Sequence, residues 1–280
     1  MRFALILAAA AALAAPPPTL VRYELVESTR SLTPTGSREQ ALKGTVVTAG
    51  GKARWDMPGA RLPGVTARAA LFDGASLFLL DPDESTVSPL SREEFDELFQ
   101  APPGPRDGPP AATKDLVVWV ERDGDGPPLG GTPTARWTVG CTYTLVAAQP
   151  GRLVRVRHET RGTVETLEEG GLAPTPFDDL LRLVRVRGEA REALGRELQK
   201  VSGLPVRVRF EASAEALAEA SGPGGGAPAS PVRSTSTTTR TVSILERRPL
   251  GKDDAALFTV PDAYRPRPLS QLKTEGAPPR

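Results

Sequence analysis

The chain holds one cysteine, Cys141, and one histidine, His158. A thiol beside an imidazole is the smallest pair that could form a thiolate nucleophile with its base. Their relative placement depends on the segment between them. Trp137, Val139, Cys141, Tyr143, Leu145 and Ala147 fall on alternate positions, separated by Thr138, Gly140, Thr142, Thr144 and Val146. That period of two belongs to a half-buried β-strand. Gln149-Pro150-Gly151-Arg152 then reverses the chain, Pro pre-setting φ at the second turn position and Gly supplying φ > 0 at the third. On the return, Val154, Val156 and His158 alternate with Arg155, Arg157 and Glu159. A two-residue loop pairs Ala147 with Val154, Leu145 with Val156 and Tyr143 with His158. A slip by one residue would turn the arginines onto the apolar face. Cys141 and His158 then share a face, diagonal to each other, with Tyr143 beside them. No further residue completes a catalytic set, so the expectation is a buried thiol and a hydrogen-bonded histidine in a sheet wall, without enzymatic activity.

Two acidic clusters, Asp123-Gly124-Asp125-Gly126 and Asp81-Pro82-Asp83-Glu84, lack the further oxygens and the terminal bidentate Glu of a calcium loop. They read as solvated turns. One histidine and one cysteine do not make the usual zinc sites, and neither metal nor cofactor is expected. Arg152, Arg155, Arg157, Arg161, Arg182, Arg185 and Arg187 form basic clusters. With 35 Lys+Arg against 34 Asp+Glu, they read as solvated faces, the alternative being a patch for lipid head groups or an acidic partner. The same balance argues against nucleic acid.

At 280 residues and 39% hydrophobic the chain can bury one large core. Residues 1–15 read as a cleavable signal peptide: Arg2 supplies the charge, Phe3 to Leu13 the apolar stretch, and Ala12-Leu13-Ala14 the small-residue cleavage site. No stretch approaches the roughly 20 apolar residues of a membrane-spanning helix. The expectation is therefore a periplasmic or secreted protein, with one domain over residues 16–265 and a disordered tail over 266–280. A lone cysteine excludes an internal disulfide, so stability must come from burial.

The elements that hold these groups are mostly strands. Leu20 to Ser28 places Val21, Tyr23 and Leu25 on one side, and Ser31 to Arg38 reads as a polar turn region. Thr45 to Thr48 and Lys52 to Met57 flank Gly50-Gly51, pairing Val46 with Trp55 and Thr48 with Ala53. Val65 to Leu80 is a hairpin turned by Asp73-Gly74, with Ala69 facing Phe78 and Ala67 facing Leu80. Ser91-Arg92-Glu93-Glu94 is a capping box opening a short helix. Leu116 to Glu121 is a strand ended by the Asp123 to Gly126 cluster. Thr175-Pro176 starts a helical segment running to Val201, its stripe including Phe177, Leu180, Val184, Leu194 and Leu198. Leu181 to Arg187 also fits a strand. Gly203-Leu204-Pro205 ends the segment. Val206 to Phe210, Val232 to Glu246 and Leu257 to Val260 are the last strands. About ten or eleven antiparallel strands result, in a mainly β fold whose one apolar face needs a helical cover.

Gly51-Lys52-Ala53-Arg54-Trp55-Asp56, then Leu71-Phe72-Asp73-Gly74-Ala75-Ser76-Leu77-Phe78 and Leu80-Asp81, resemble the basic-Trp strand, Asp-Gly turn and following strand of the periplasmic lipoprotein carriers (LolA/LolB-like). Gly131 to Trp137, Gly203 to Val206 and Phe258 to Pro261 with Tyr264 are similar to a broader set of exported proteins of the same presumed fold. The resemblance implies an incomplete antiparallel barrel with a helical lid over a hydrophobic cavity that receives acyl chains. Carried onto this chain, the cavity would be lined from the sheet by Trp55, Phe78, Leu80, Trp137, Val139, Tyr143, Leu145, Val156 and His158. The lid would supply Phe177, Leu180, Val184, Leu194 and Leu198. Arg54 is the positional match for a lid-contacting arginine, yet the register puts it opposite Trp55, with Lys52 and Asp56. The expected function is binding of an acyl chain or other hydrophobic ligand, including a lipidated protein. The alternative is a fully packed scaffold with an envelope protein partner.

The alternation predicts a far-ultraviolet circular dichroism spectrum dominated by β structure with a minority of helix; a mainly helical spectrum would defeat the architecture.

Overall fold

The computed structural model describes residues 18–58, 62, 65–99, 112–149, 152–168, 186, 188–220 and 232–272. The expected signal peptide lies outside the described residues, as does the stretch carrying Phe177, Leu180 and Val184. Twelve strands form one sheet: β1 (Thr19–Thr33), β2 (Gly36–Ala49), β3 (Lys52–Asp56), β4 (Ala69–Phe72), β5 (Leu77–Asp81), β6 (Thr86–Leu90), β7 (Ala112–Leu129), β8 (Thr132–Gln149), β9 (Arg152–Leu167), β10 (Leu204–Ala220), β11 (Val232–Pro249) and β12 (Arg265–Pro266). Their order is β12-β6-β5-β4-β3-β2-β1-β11-β10-β9-β8-β7. Neighbours run antiparallel except β12, which lies parallel to β6. The sheet does not close: β12 and β7 are its two ends.

Period-two burial gives the sheet two faces. Along β1, Val21, Tyr23, Leu25 and Glu27 are buried while Arg22, Glu24 and Val26 are only partly so. The inner face carries the main core, in which Tyr23, Val46, Trp55, Leu79, Tyr143 and Phe210 belong to one cluster. Helix α1 (Arg92–Phe99) contributes Phe95 to it, helix α2 (Gly188–Leu198) contributes Ala190, Leu194 and Leu198, and helix α3 (Leu269–Leu272) contributes Leu272. Among the described residues no helix is long and apolar enough to cross a membrane.

Local chemistry explains the best-defined joints. Gly50 and Gly51 both adopt positive φ, 54° and 78°, the backbone of a type I′ turn, and β2 pairs with β3 as expected, Val46 with Trp55 and Thr48 with Ala53. At α1 the Ser91 amide donates to Glu94 Oε2 at 2.8 Å while the Glu94 amide donates to Ser91 Oγ at 3.1 Å, the reciprocal capping box. Gly162 on β9 lies beneath the Phe210 ring of β10: a Cβ there would sit 2.2 Å from Phe210 Cδ1.

Several expectations are corrected. Asp73 closes a longer turn than a two-residue one, its carboxylate accepting from the amides of Ala75 at 2.9 Å and Ser76 at 2.8 Å. The hairpin therefore pairs Leu71 with Phe78 and Ala69 with Leu80. Because β3 pairs Trp55 with Ala70 and Arg54 with Leu71, Phe78 and Leu80 share the outer face with Arg54, away from Trp55. There they join a second cluster with Leu20, Val47 and Phe258. Leu257 to Val260 is not a strand: Asp253–Phe258 is a 3-10 turn that seats Phe258 in this outer cluster. It is anchored by Asp254, whose Oδ1 accepts from Arg248 Nη2 at 2.8 Å and whose Oδ2 accepts from the Gly251 amide at 2.6 Å. Those bonds, the arginine's first, hold the Asp254 carboxyl down at about 2.

The strands also outrun their apolar stretches. Ser31 to Arg38 is mostly strand, because β1 and β2 keep pairing as far as Thr33 and Gly36. Asp123 to Gly126 does not end β7, which continues to Leu129 through register shifts after Lys114, Arg122 and Gly126. Of the expected tail, the described residues up to 272 are held to the fold, β12 pairing with β6 and Leu272 being fully buried, and the remainder lies outside the described residues. Helix α2 covers the described end of the expected helical segment, whose start near Pro176 lies outside the described residues.

Two glycines give opposite expected results. Gly195 in α2 has open space where its Cβ would stand, so Gly195→Ala should stabilise by up to about 1 kcal/mol through helix propensity. Gly162→Ala should destabilise by about 1–3 kcal/mol through overpacking against Phe210. Denaturant midpoints of the two variants check the pair.

Candidate functional site

Hairpin β8–β9 forms in the register its alternation requires: Cys141 opposite Thr160, Tyr143 opposite His158, Leu145 opposite Val156 and Ala147 opposite Val154. Strand β10 extends each row across the inner face, setting Ala212, Ala214 and Ala216 beside Thr160, His158 and Val156. On the outer face the same stretches carry Arg155, Arg157, Glu159 and Glu215.

The rings of Tyr143 and His158 stack with centroids 4.6 Å apart and planes 11° from parallel. They mark a boundary along the strands. Toward Trp137 the inner face is closed, with Val139 1% exposed and Cys141 fully buried. Beyond the stack, Leu145, Ala147, Val154, Val156, Ala214 and Ala216 are only half-buried. Apolar character thus outlasts the packed core.

Across the sheet the same boundary is polar. Glu27 of β1 and Arg240 of β11 are cross-strand neighbours, at 3% and 6% exposure. Arg240 Nε donates to Glu27 Oε2 at 2.8 Å. In the low-dielectric interior such a pair must meet both charges, since either alone would be strongly destabilising. In the rows beyond, Thr29 and Thr238 hydroxyls lie 3.0 Å apart and Ser31 Oγ donates to Ser236 Oγ at 3.3 Å.

The thiol does not supply a nucleophile at neutral pH. Burial pushes Cys141 up to about 11, so it stays protonated, and it pairs across the strands with Thr160 rather than His158.

Of the residues expected to line a cavity, Trp55, Val139, Tyr143, Leu194 and Leu198 share the inner core at 5% exposure or less. Trp137 and Leu145 pack against that core while partly exposed. Val156 and His158 are half-buried on the same face. Phe78 and Leu80 belong to the outer cluster, and Phe177, Leu180 and Val184 lie outside the described residues. Helix α2 packs on β7 and β8. The alanines of β10 were missed, although Ala212, Ala214, Ala216 and Ala218 alternate with Ser213, Glu215 and Leu217. Small side chains give a weak apolar signal. Nothing local marks Glu27 and Arg240 as partners, because the pairing exists only once β1 lies beside β11.

No protein-family model matches the sequence, and no curated protein does. Among solved structures, a domain from Vibrio parahaemolyticus described as an outer membrane lipoprotein-sorting protein is 9% identical, covering 85% of this chain and 89% of its own, with a TM-score of 0.24. Neisserial surface protein A is 6% identical over 80% of this chain and 96% of its own, at a TM-score of 0.12. OccK2 of Pseudomonas aeruginosa is 8% identical over 81% and 97%, at 0.19. Superpositions this loose assign neither a fold nor a function to the chain.

The buried thiol has a signature in stability. An unfolded cysteine loses its proton near 9, the folded one near 11. The unfolded state therefore binds fewer protons in that window, and stability falls as pH rises through it. The parent protein should lose more stability than Cys141→Ser between those two values, with the two curves parallel below pH 8 or so. Parallel curves throughout would show an ordinary, solvent-reached thiol.

Proposed function

We propose that the protein is an exported binder of hydrophobic ligands, holding an acyl chain or a comparable apolar group against the inner face of β8, β9 and β10. One observation carries this reading. At and past the Tyr143–His158 stack, Leu145, Val154, Val156, Ala214 and Ala216 keep the inner face uniformly apolar while half-buried, whereas the outer face of the same stretches mixes Arg155, Arg157 and Glu215 with Thr144, Val146 and Leu217. A strand with no use for two chemically different faces would be polar on both once it leaves its core. The small side chains of β10 leave room above them, and Leu145 and Val156 supply contact area. Completing the burial of each contributes part of the about 1.5–3 kcal/mol that full burial of such a side chain is worth.

In this reading Trp55, Val139, Leu194 and Leu198 belong to the fixed core, and α2 is its permanent cover at β7 and β8. The ligand meets Leu145, Val156 and the edge of the Tyr143–His158 stack. The resemblance to the lipoprotein carriers drawn from Gly51 to Asp56 and Leu71 to Asp81 points the same way, to a periplasmic protein whose ligand is an acyl chain, free or on a lipidated protein. Neither a cofactor nor catalysis enters the proposal. A second reading, a packed scaffold with an envelope partner, is favoured by the near-complete burial of Val139, at 1%, and Leu194, at 0%.

Binding of a fluorescent fatty acid separates the two. The parent protein should bind the probe, and Val156→Arg should weaken it by about tenfold or more, equivalent to 1.4 kcal/mol. Arg157→Glu, on the outer face of the same strand, should leave affinity unchanged. A folded parent that binds no probe would end the ligand reading in favour of the scaffold.

A further inference from the structure

Resting on the proposed ligand face, we infer that the ligand is an amphiphile with an uncharged, hydroxylated head, not a bare hydrocarbon or a fatty acid. The rows that run apolar across β8, β9 and β10 do not stop there. The row of Tyr143, His158 and Ala214 continues into Ser236 of β11 and Ser31 of β1. The preceding row passes from Ala212 into Thr238 and Thr29, and the following one from Ala216 into Ser234. One face is therefore divided between β10 and β11, with Leu145, Val156, Ala214 and Ala216 beside the Tyr143–His158 stack on one half and a group of aliphatic hydroxyls on the other.

Those hydroxyls are half-buried, and they are paired across the strands, Thr29 with Thr238 at 3.0 Å and Ser31 with Ser236 at 3.3 Å. Each hydroxyl is one donor and two acceptor sites, so a pair that uses one bond between its members keeps further capacity for a head group carrying hydroxyls of its own. Formal charge is matched next to them. Glu27 and Arg240 lie in the adjoining row, buried and bonded to each other, which leaves no net charge there to select an anion or a cation. Arg38 of β2 pairs with Ser31 but is exposed, outside the half-buried hydroxyl group. A tail lying across β10, β9 and β8 from a head at β11 would span about 14 Å, three strand spacings.

The test compares three twelve-carbon probes below their micelle concentrations: 1-dodecanoylglycerol, dodecanoate and dodecyltrimethylammonium. Calorimetry on the full chain should show the acylglycerol binding about tenfold tighter than either charged probe, the increment of one or two well-made hydrogen bonds. In the double variant Ser236→Ala, Thr238→Val, an unchanged circular dichroism spectrum would establish the fold. The preference should then shrink to about twofold or less, with the affinity for dodecanoate kept. Equal binding of all three probes, or tightest binding of dodecanoate, would overturn the inference and leave the apolar-ligand reading standing. Binding of none by a folded parent would overturn both.

Discussion

The parity of strand pairing is the constraint on which everything else in this molecule depends. Tyr143 opposite His158 fixes β9 against β8, Ala214 opposite His158 fixes β10, and Ser236 and Ser31 follow on β11 and β1. Because side chains alternate, one choice at the first pair assigns faces across five long strands as far as the bulges at Arg22 and Pro205. Arg155 and Arg157 make that choice nearly irreversible. The opposite parity would put their guanidinium groups on the inner face beside Tyr143, Leu145 and Ala214.

That constraint explains which parts of the fold were legible in the sequence. Trp137 to Ala147 and Val154 to His158 alternate so clearly that residue-by-residue pairing followed from the turn alone, as it did for Val46 with Trp55. At Asp73 a side chain set the pairing: by accepting from two amides it lengthened the turn and moved each partner by two residues, while the β3–β4 register, Arg54 opposite Leu71, put Phe78 and Leu80 on the outer face. Polar strands were underestimated for a different reason. Gly36 and Asp125 have little intrinsic strand character, and pairing with an already formed neighbour holds them extended. Residues 265–272 escaped notice because short pairing with β6 and two side chains, Leu269 and Leu272, hold them, too few apolar positions to leave a periodic trace.

Within the candidate site the legible part was again the alternating one. Tyr143, Leu145, Val156 and His158 announced a shared face. The alanines of β10 fill the same rows yet contribute too little hydrophobicity to stand out. The Glu27–Arg240 pair and the hydroxyl ladder between β1 and β11 join residues more than 200 positions apart. Such contacts are created by topology, and topology is what a local pattern does not encode. The result is a sheet of two energetic halves. Burial stabilises the end nearest Trp55 and Trp137, whereas the opposite end relies on ladder hydrogen bonds and half-buried rows. It belongs to the class of segments that open at the lower end of the stability scale.

Strand β7 ends the sheet among the described residues. Its free edge is 18 residues long, enough in a flat strand to template a second copy by backbone pairing alone. Register shifts after Lys114, Arg122 and Gly126 cut that edge, and left-handed backbone at Asp115, with φ 54°, and Gly124, with φ 78°, turns amide groups out of line at two of the cuts. Only Val117 to Arg122 runs unbroken against β8. The acidic cluster that resembled a solvated turn is thus an interruption of the ladder, the kind of irregularity that shortens the run an edge strand offers to a second chain.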